Sequence, residues 1–145
     1  MNEIAHDSAA TLLRGMLALG RRLRAERPPG SLSLSGLGIL GALNRIGPLV
    51  ATRLAAEERL QPQSLTRLLG YLEKDRLIRR KRSRDDRREI TITITARGRR
   101  VLLEDMAVRR AWLEKALAAA LEPVERGVLR AAAPVMLKLA ACERR

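Results

Sequence analysis

Gln63, Arg67 and Lys74 are spaced so that, on an α-helix at 100° per residue, they fall within about 40° of one another. Gly70 lies beside them, and Ser64 and Tyr71 flank the strip. Leu65, Leu68, Leu69 and Leu72 occupy about 100° on the other side, the buried stripe of an amphipathic helix. An amide, a guanidinium and an ammonium on one strip, with a glycine permitting close approach, suit a helix lying in the major groove of duplex DNA. Gln63 can bond adenine bidentately, and Arg67 can bond guanine or clamp a phosphate. Ser64, Tyr71 and Lys74 are better placed to hold phosphates and fix register. Pro62 and Thr66 complete this candidate recognition surface. Any amphipathic helix has a solvated polar face, so the DNA reading draws its weight from the segment just C-terminal to this helix.

That segment is a ribbon of arginines. Arg79, Arg80, Lys81, Arg82, Arg84, Arg87 and Arg88 surround a polar tip containing Asp85 and Asp86. A projecting basic hairpin can cross a phosphate backbone and enter the adjacent minor groove, where narrow A·T segments concentrate negative potential. Asp86 is odd for a pure phosphate binder, and makes sense if it orients a neighbouring guanidinium by a charge-assisted hydrogen bond. The candidate wing contacts are Arg82, Arg84, Asp86, Arg87 and Arg88.

These residues need elements to carry them. Leu12, Met16, Leu19 and Leu23 recur every three or four residues, predicting a first helix over about 5–27, broken by Pro28-Pro29-Gly30. Ser33 can cap a second helix that stops at Gly47-Pro48. A short third helix over about 51–58 turns Leu54 and Ala55 inward, and a fourth starts on Pro62, whose missing N–H is not needed there, and runs to about Asp75. The period then changes: Ile90, Ile92 and Ile94 alternate with Thr91, Thr93 and Thr95, so 77–82 and 89–95 read as two strands. Thr95 can cap a fifth helix over about 96–121; a sixth spans about 123–142 with Pro134 inside it, which should kink it. The predicted fold is mainly α, an α+β winged helix of six helices with a two-stranded hairpin. Residues 32–98 form its winged helix-turn-helix. Residues 5–31 and 99–145 are left over as helices apolar along one side, which an identical subunit would cover.

Net charge is +13 over 145 residues, and residues 73–100 alone hold twelve Lys or Arg against five Asp or Glu. A charge concentrated in this way is the footprint of a polyanion partner rather than of general solubility. With no Phe, one Tyr and one Trp, the core must be aliphatic. One cysteine, Cys142, excludes an intramolecular disulfide framework and fits a reducing cytoplasm. The sequence holds no apolar run of about 20 residues and no leader, so neither membrane insertion nor export is expected. His6 is the only histidine and is read as a solvated helix-start residue. Neither a metal site, a catalytic Ser/His/Asp or Cys/His set, nor a Gly-rich phosphate loop can be assembled, so no cofactor and no enzymatic role are expected. The acidic residues are expected to pair with nearby basic ones. Cys142, at the far end of the chain, is read as passive, and Trp112 as interface or core.

Residues 32–98 resemble the MarR family of winged-helix regulators. The resemblance rests on Leu32-Ser33, Leu54-Ala55, the run Pro62–Leu68, the run Leu72–Ile78, Asp86-Arg87-Arg88 at the wing tip, and Ile94-Thr95 with Gly98 at its exit. It implies a triangular homodimer with a recognition helix in each of two adjacent major grooves of a pseudo-palindromic operator. It also implies insertion of Arg88 into the minor groove with support from Asp86. Repression relieved by a small, often phenolic or aromatic, ligand is the family's usual mode, and no cluster here picks out the ligand pocket. The sequence departs from the family at Val50 (usually a capping Ser or Thr), Glu58 (usually apolar) and Arg59 (usually Gly). A sequence-neutral architectural or RNA-associated protein is the competing class; the lack of stacking aromatics and the presence of Gln63 argue against it. A membrane-surface role would need basic residues interleaved with apolar ones on a helix, whereas here they crowd a polar hairpin.

Overall fold

The computed structural model describes residues 2–82 and 89–142, with side chains from residue 8 onward. Six helices and three short strands follow in the order α1 (Asn2–Ala25), α2 (Leu34–Ile46), β1 (Leu49–Val50), α3 (Ala51–Glu57), α4 (Pro62–Lys74), β2 (Ile78–Arg82), β3 (Ile90–Ile94), α5 (Ala96–Ala120) and α6 (Pro123–Ala140). The chain divides into two compact units, Arg27–Ala107 and Met1–Glu26 with Val108–Arg145.

The first of these units is built around an aliphatic core. Leu37, Ile39, Leu40 and Leu43 of α2 meet Leu54 of α3, Leu65, Leu69 and Leu72 of α4, and Leu77, Ile78, Ile92 and Ile94 at the sheet. Caps set the helix boundaries. The Ser33 hydroxyl accepts from the Gly36 N–H at 3.1 Å to open α2, and the Thr95 hydroxyl accepts from the Gly98 N–H at 3.0 Å to open α5. Val50, before α3, makes no side-chain cap bond, as its apolar side chain dictates.

α3 and α4 both end in Schellman motifs. After α3, Leu60 N–H donates to Ala55 O (2.9 Å) and Arg59 N–H to Ala56 O (3.3 Å); after α4, Leu77 N–H donates to Leu72 O and Arg76 N–H to Glu73 O, both at 2.9 Å. The residue that must turn left-handed is arginine in each case, Arg59 at φ 51° and Arg76 at φ 59°. Both helices thus end on a backbone conformation that glycine adopts without cost and arginine does not.

The hairpin expected from the alternating Ile/Thr run is joined by a third strand. β3 is central, paired antiparallel to β2 (Arg80 opposite Ile92) and to β1 (Leu49 opposite Ile92), giving the order β1-β3-β2. Ile92 and Ile94 face the core while Ile90 is exposed. β2 is an edge strand with only Ile78 buried; Arg79, Arg80, Lys81 and Arg82 are all exposed, and such charge keeps an open edge from pairing with another sheet.

Arg27 and Asp105 form an ion pair at 2.7 Å, with both side chains largely buried. Arg27 also donates to the Leu32 carbonyl, tying the segment before α2 to α5. Asp105 therefore pairs across 78 residues rather than only with basic neighbours in sequence.

The second unit comprises α1, the C-terminal half of α5 and α6. A capping box opens α6: Glu122 and Glu125 each bond the other's backbone N–H, and Pro123 takes the first helical position. Pro134 lies inside α6, as expected. Trp112 is half-buried, with the Arg22 guanidinium 5.2 Å from its ring centroid, a cation–π contact.

Candidate nucleic-acid interface

The α4 helix begins at Pro62 because a proline there loses no hydrogen bond, and it buries Leu65, Leu69 and Leu72 with Leu68 half-buried. Anchoring on that side leaves the opposite one free. Gln63, Ser64, Thr66, Arg67, Gly70, Tyr71 and Lys74 are all exposed, Tyr71 at 60%. Among the described residues, apart from its chain neighbours and the adjacent helix backbone, nothing lies within 4 Å of where a Cβ on Gly70 would sit, so the strip is open at this point. Thr66 is partly engaged: its hydroxyl donates to the Pro62 carbonyl at 2.9 Å. It keeps acceptor capacity only.

Of the wing residues, Arg82 is exposed at the end of β2. Arg84, Asp86, Arg87 and Arg88 lie outside the described residues. Arg80 behaves differently from the other hairpin arginines. Its guanidinium bonds the Glu73 carboxylate through Nε at 2.7 Å and also through Nη2, joining the last turn of the candidate recognition helix to the first wing strand. The Arg80 hydrogen bond holds the Glu73 carboxyl below the usual carboxylate range, so the clasp persists into mild acid. By sequence Arg80 groups with the phosphate-reaching arginines; the fold assigns it to orienting the wing. The seven-residue separation crosses a helix end and a turn, which no helical or strand period reveals.

Three further contacts, made by residues the sequence singles out for other reasons, are visible only in the fold. The Thr95 hydroxyl reaches the carbonyls of Arg76 (2.7 Å) and Leu77 (3.0 Å) while capping α5, pinning the foot of the wing. Gly98 is buried there, and a Cβ at that position would lie 3.1 Å from the Leu77 carbonyl carbon and closer still to its oxygen. Only a glycine lets α5 approach the backbone this closely. Glu58 folds back over Gly38 of α2, with its Cδ 3.2 Å from where a Cβ on Gly38 would sit. Burial pushes its carboxyl above the ordinary value, partly offset by Arg45 and reinforced by Glu57.

Among the described residues no group of three His, Cys, Asp or Glu side chains could hold a metal, and no helix is long and apolar enough to cross a membrane. The family model described as MarR family matches residues 32–89, the span from just before the cap of α2 to just before β3. An HTH-type transcriptional regulator of Mycobacterium tuberculosis is 32% identical over 131 residues, covering 90% of this chain and 91% of the relative. The chain belongs to the MarR family. As such it is a DNA-binding transcriptional regulator and not an enzyme. A crystal structure from Pseudomonas aeruginosa PA01 superposes with a TM-score of 0.82 at 35% identity over 99% of each chain. BpsR of Bordetella bronchiseptica, whose DNA binding is regulated by 6-hydroxynicotinic acid, shares the fold at a TM-score of 0.65 and 19% identity, over 92% of this chain and 98% of that one.

Proposed function

We propose that this MarR-family regulator is a cytoplasmic homodimeric repressor that binds a pseudo-palindromic operator, with α4 in the major groove and the wing in the adjacent minor groove. The exposed strip of Gln63, Ser64, Arg67, Tyr71 and Lys74, opposite buried Leu65, Leu69 and Leu72, carries this reading. Gln63 and Arg67 read bases; Ser64, Tyr71 and Lys74 hold phosphates; Arg82, Arg84, Arg87 and Arg88 serve the wing, with Asp86 orienting Arg88.

Dimerisation is supported by α6, which has no buried residue in the single chain although it carries Val124, Val128, Leu129, Val135, Leu137 and Leu139. An 18-residue helix with so much exposed aliphatic surface calls for a partner, and a second copy of α1, α5 and α6 provides a matching one. An aromatic acid is the effector class this reading favours. A cavity of about 470 Å³ within the α1/α5/α6 unit has Leu19, Leu117 and Met136 for apolar walls and Arg126 and Arg130, against the single carboxylate of Glu114, for an acid group. Such a ligand weakens DNA binding only if it favours a dimer whose recognition-helix spacing mismatches the operator.

Selection of bound sequences from a random duplex pool, with sedimentation of the free protein, tests the reading. Enrichment of an inverted repeat with half-sites ~10 bp apart is expected, and inserting about five base pairs between them should abolish the preference. A folded monomer at micromolar concentration, or undiminished affinity for the spacer variant, would overturn it. Equal binding of all duplexes would favour a sequence-neutral architectural role.

A further inference from the structure

At the foot of the wing, where α4 ends and α5 begins, an open cavity of about 570 Å³ is lined by Glu73, Arg76, Arg79, Arg80, Thr95 and Arg97, among others. Its one carboxylate, Glu73, is engaged by Arg80. Arg76, Arg79 and Arg97 have no ion-pair partner among the described residues, so three guanidinium groups share one concavity whose carboxylate is already engaged. A concave surface lined by one sign of charge focuses the field and concentrates counter-ions. Arg76 holds φ 59° at the end of α4, a strained conformation for an arginine that glycine would relieve. The Arg76 side chain nonetheless stands on the cavity wall.

We propose that this cavity binds a phosphate-bearing anion through Arg76, Arg79 and Arg97, with the Glu73–Arg80 clasp as a fixed wall. A monocarboxylate can neutralise only one of the three guanidinium groups. A phosphate group offers up to two charges and three acceptor oxygens, and guanidinium forks match its geometry. The phosphate comes either from the DNA backbone or from a free phosphorylated compound, and the site is separate from the apolar cavity of the α1/α5/α6 unit.

Isothermal titration of inorganic pyrophosphate into the DNA-free full-length protein at low ionic strength tests the site without reliance on the operator reading. One saturable site per chain is expected. Arg79→Gln with Arg97→Gln should weaken it by about tenfold or more, whereas Arg100→Gln, an exposed arginine that does not line the cavity, should bind as wild type. Arg76→Gly guards against a trivial folding loss: it should unfold at or above the wild-type temperature and still lose pyrophosphate affinity. Salt titrations with operator DNA separate the two sources. A double variant whose salt slope falls by about one unit per subunit, with pyrophosphate competing against DNA, identifies a backbone phosphate. An unchanged slope alongside lost pyrophosphate binding identifies a free phosphorylated ligand. Absence of saturable binding to the wild type, or wild-type affinity in the double variant, overturns the proposal.

Discussion

Replacing Gly98 by alanine puts a methyl group where α5 meets the foot of the wing. The new Cβ would stand 2.9 Å from Ile94 Cγ1 and 3.1 Å from the Leu77 carbonyl carbon, with the Leu77 oxygen nearer still. Backbone cannot swing aside as the end of a long side chain can, so the strand and helix must separate by about 1 Å, and overpacking of this kind costs about 1–3 kcal/mol. The Leu77 oxygen also accepts from the Thr95 N–H and the Thr95 hydroxyl, both at 3.0 Å. Stretching those two bonds adds about 1 kcal/mol each, and the better helix propensity of alanine returns about 1 kcal/mol. The net expectation is a loss of about 2–4 kcal/mol, or about 10 °C in the unfolding midpoint at fixed protein concentration. Gly70→Ala is the matched control, because nothing lies within 4 Å of its added methyl. It should gain up to about 1 kcal/mol from helix propensity, and on the proposed docking of α4 in the groove it should weaken operator binding. Thermal unfolding by circular dichroism, with operator binding measured on the same samples, reads both variants. A Gly98→Ala midpoint within a degree or two of wild type would refute the close approach at the foot of the wing.

Arg67→Ala should cost about 1–3 kcal/mol at the cognate site and relax preference at one base pair, whereas Arg88→Ala should weaken binding to cognate and scrambled duplexes alike and flatten the salt slope by about one unit; isotherms at several salt concentrations distinguish them. Arg27→Ala strips a partner from buried Asp105 and should lower stability by about 3 kcal/mol in chemical denaturation. Burial raises the carboxyl pKa of Glu58, so its contribution to stability is full below the unfolded value near 4.5 and is lost as pH rises through the folded value. Glu58→Gln should therefore be more stable than wild type at neutral pH, and the gap should close below about pH 4.5 in unfolding curves taken across pH. Arg59→Gly removes the left-handed strain after α3 but loosens the unfolded chain, so its stability in denaturation should rise by up to about 1 kcal/mol; a loss of 1 kcal/mol would contradict the Schellman geometry.

Much of the candidate site's exposure was legible because it depends on local periodicity. The Leu65, Leu69 and Leu72 stripe fixes which face of α4 is buried, and Gln63, Arg67 and Lys74 are exposed as a direct consequence. The Ile/Thr alternation likewise identified β3, and Ser33 and Thr95 marked two helix starts. The departure at Arg59 is visible as a positive φ. That at Glu58 is visible as a carboxylate folded onto Gly38. β1 escaped notice because two residues carry no period; its existence depends on the β3 edge that receives it.

The linear pattern of apolar and polar residues by itself determined the order of the helices and of the two hairpin strands, the aliphatic core and which face of α4 is left exposed, since each is set by neighbours within a turn or two of chain. The tertiary structure alone decided which charges are spoken for. Arg27 finds Asp105 across 78 residues, Arg80 is diverted to Glu73, and Arg76, Arg79 and Arg97 are gathered around one cavity. Electrostatic partners act through space over a few ångströms and bear no fixed relation to sequence separation. Counting twelve basic residues between 73 and 100 therefore located the charge, and only the packing of α4, β2 and α5 distinguished a structural clasp from guanidinium groups left to meet an anion.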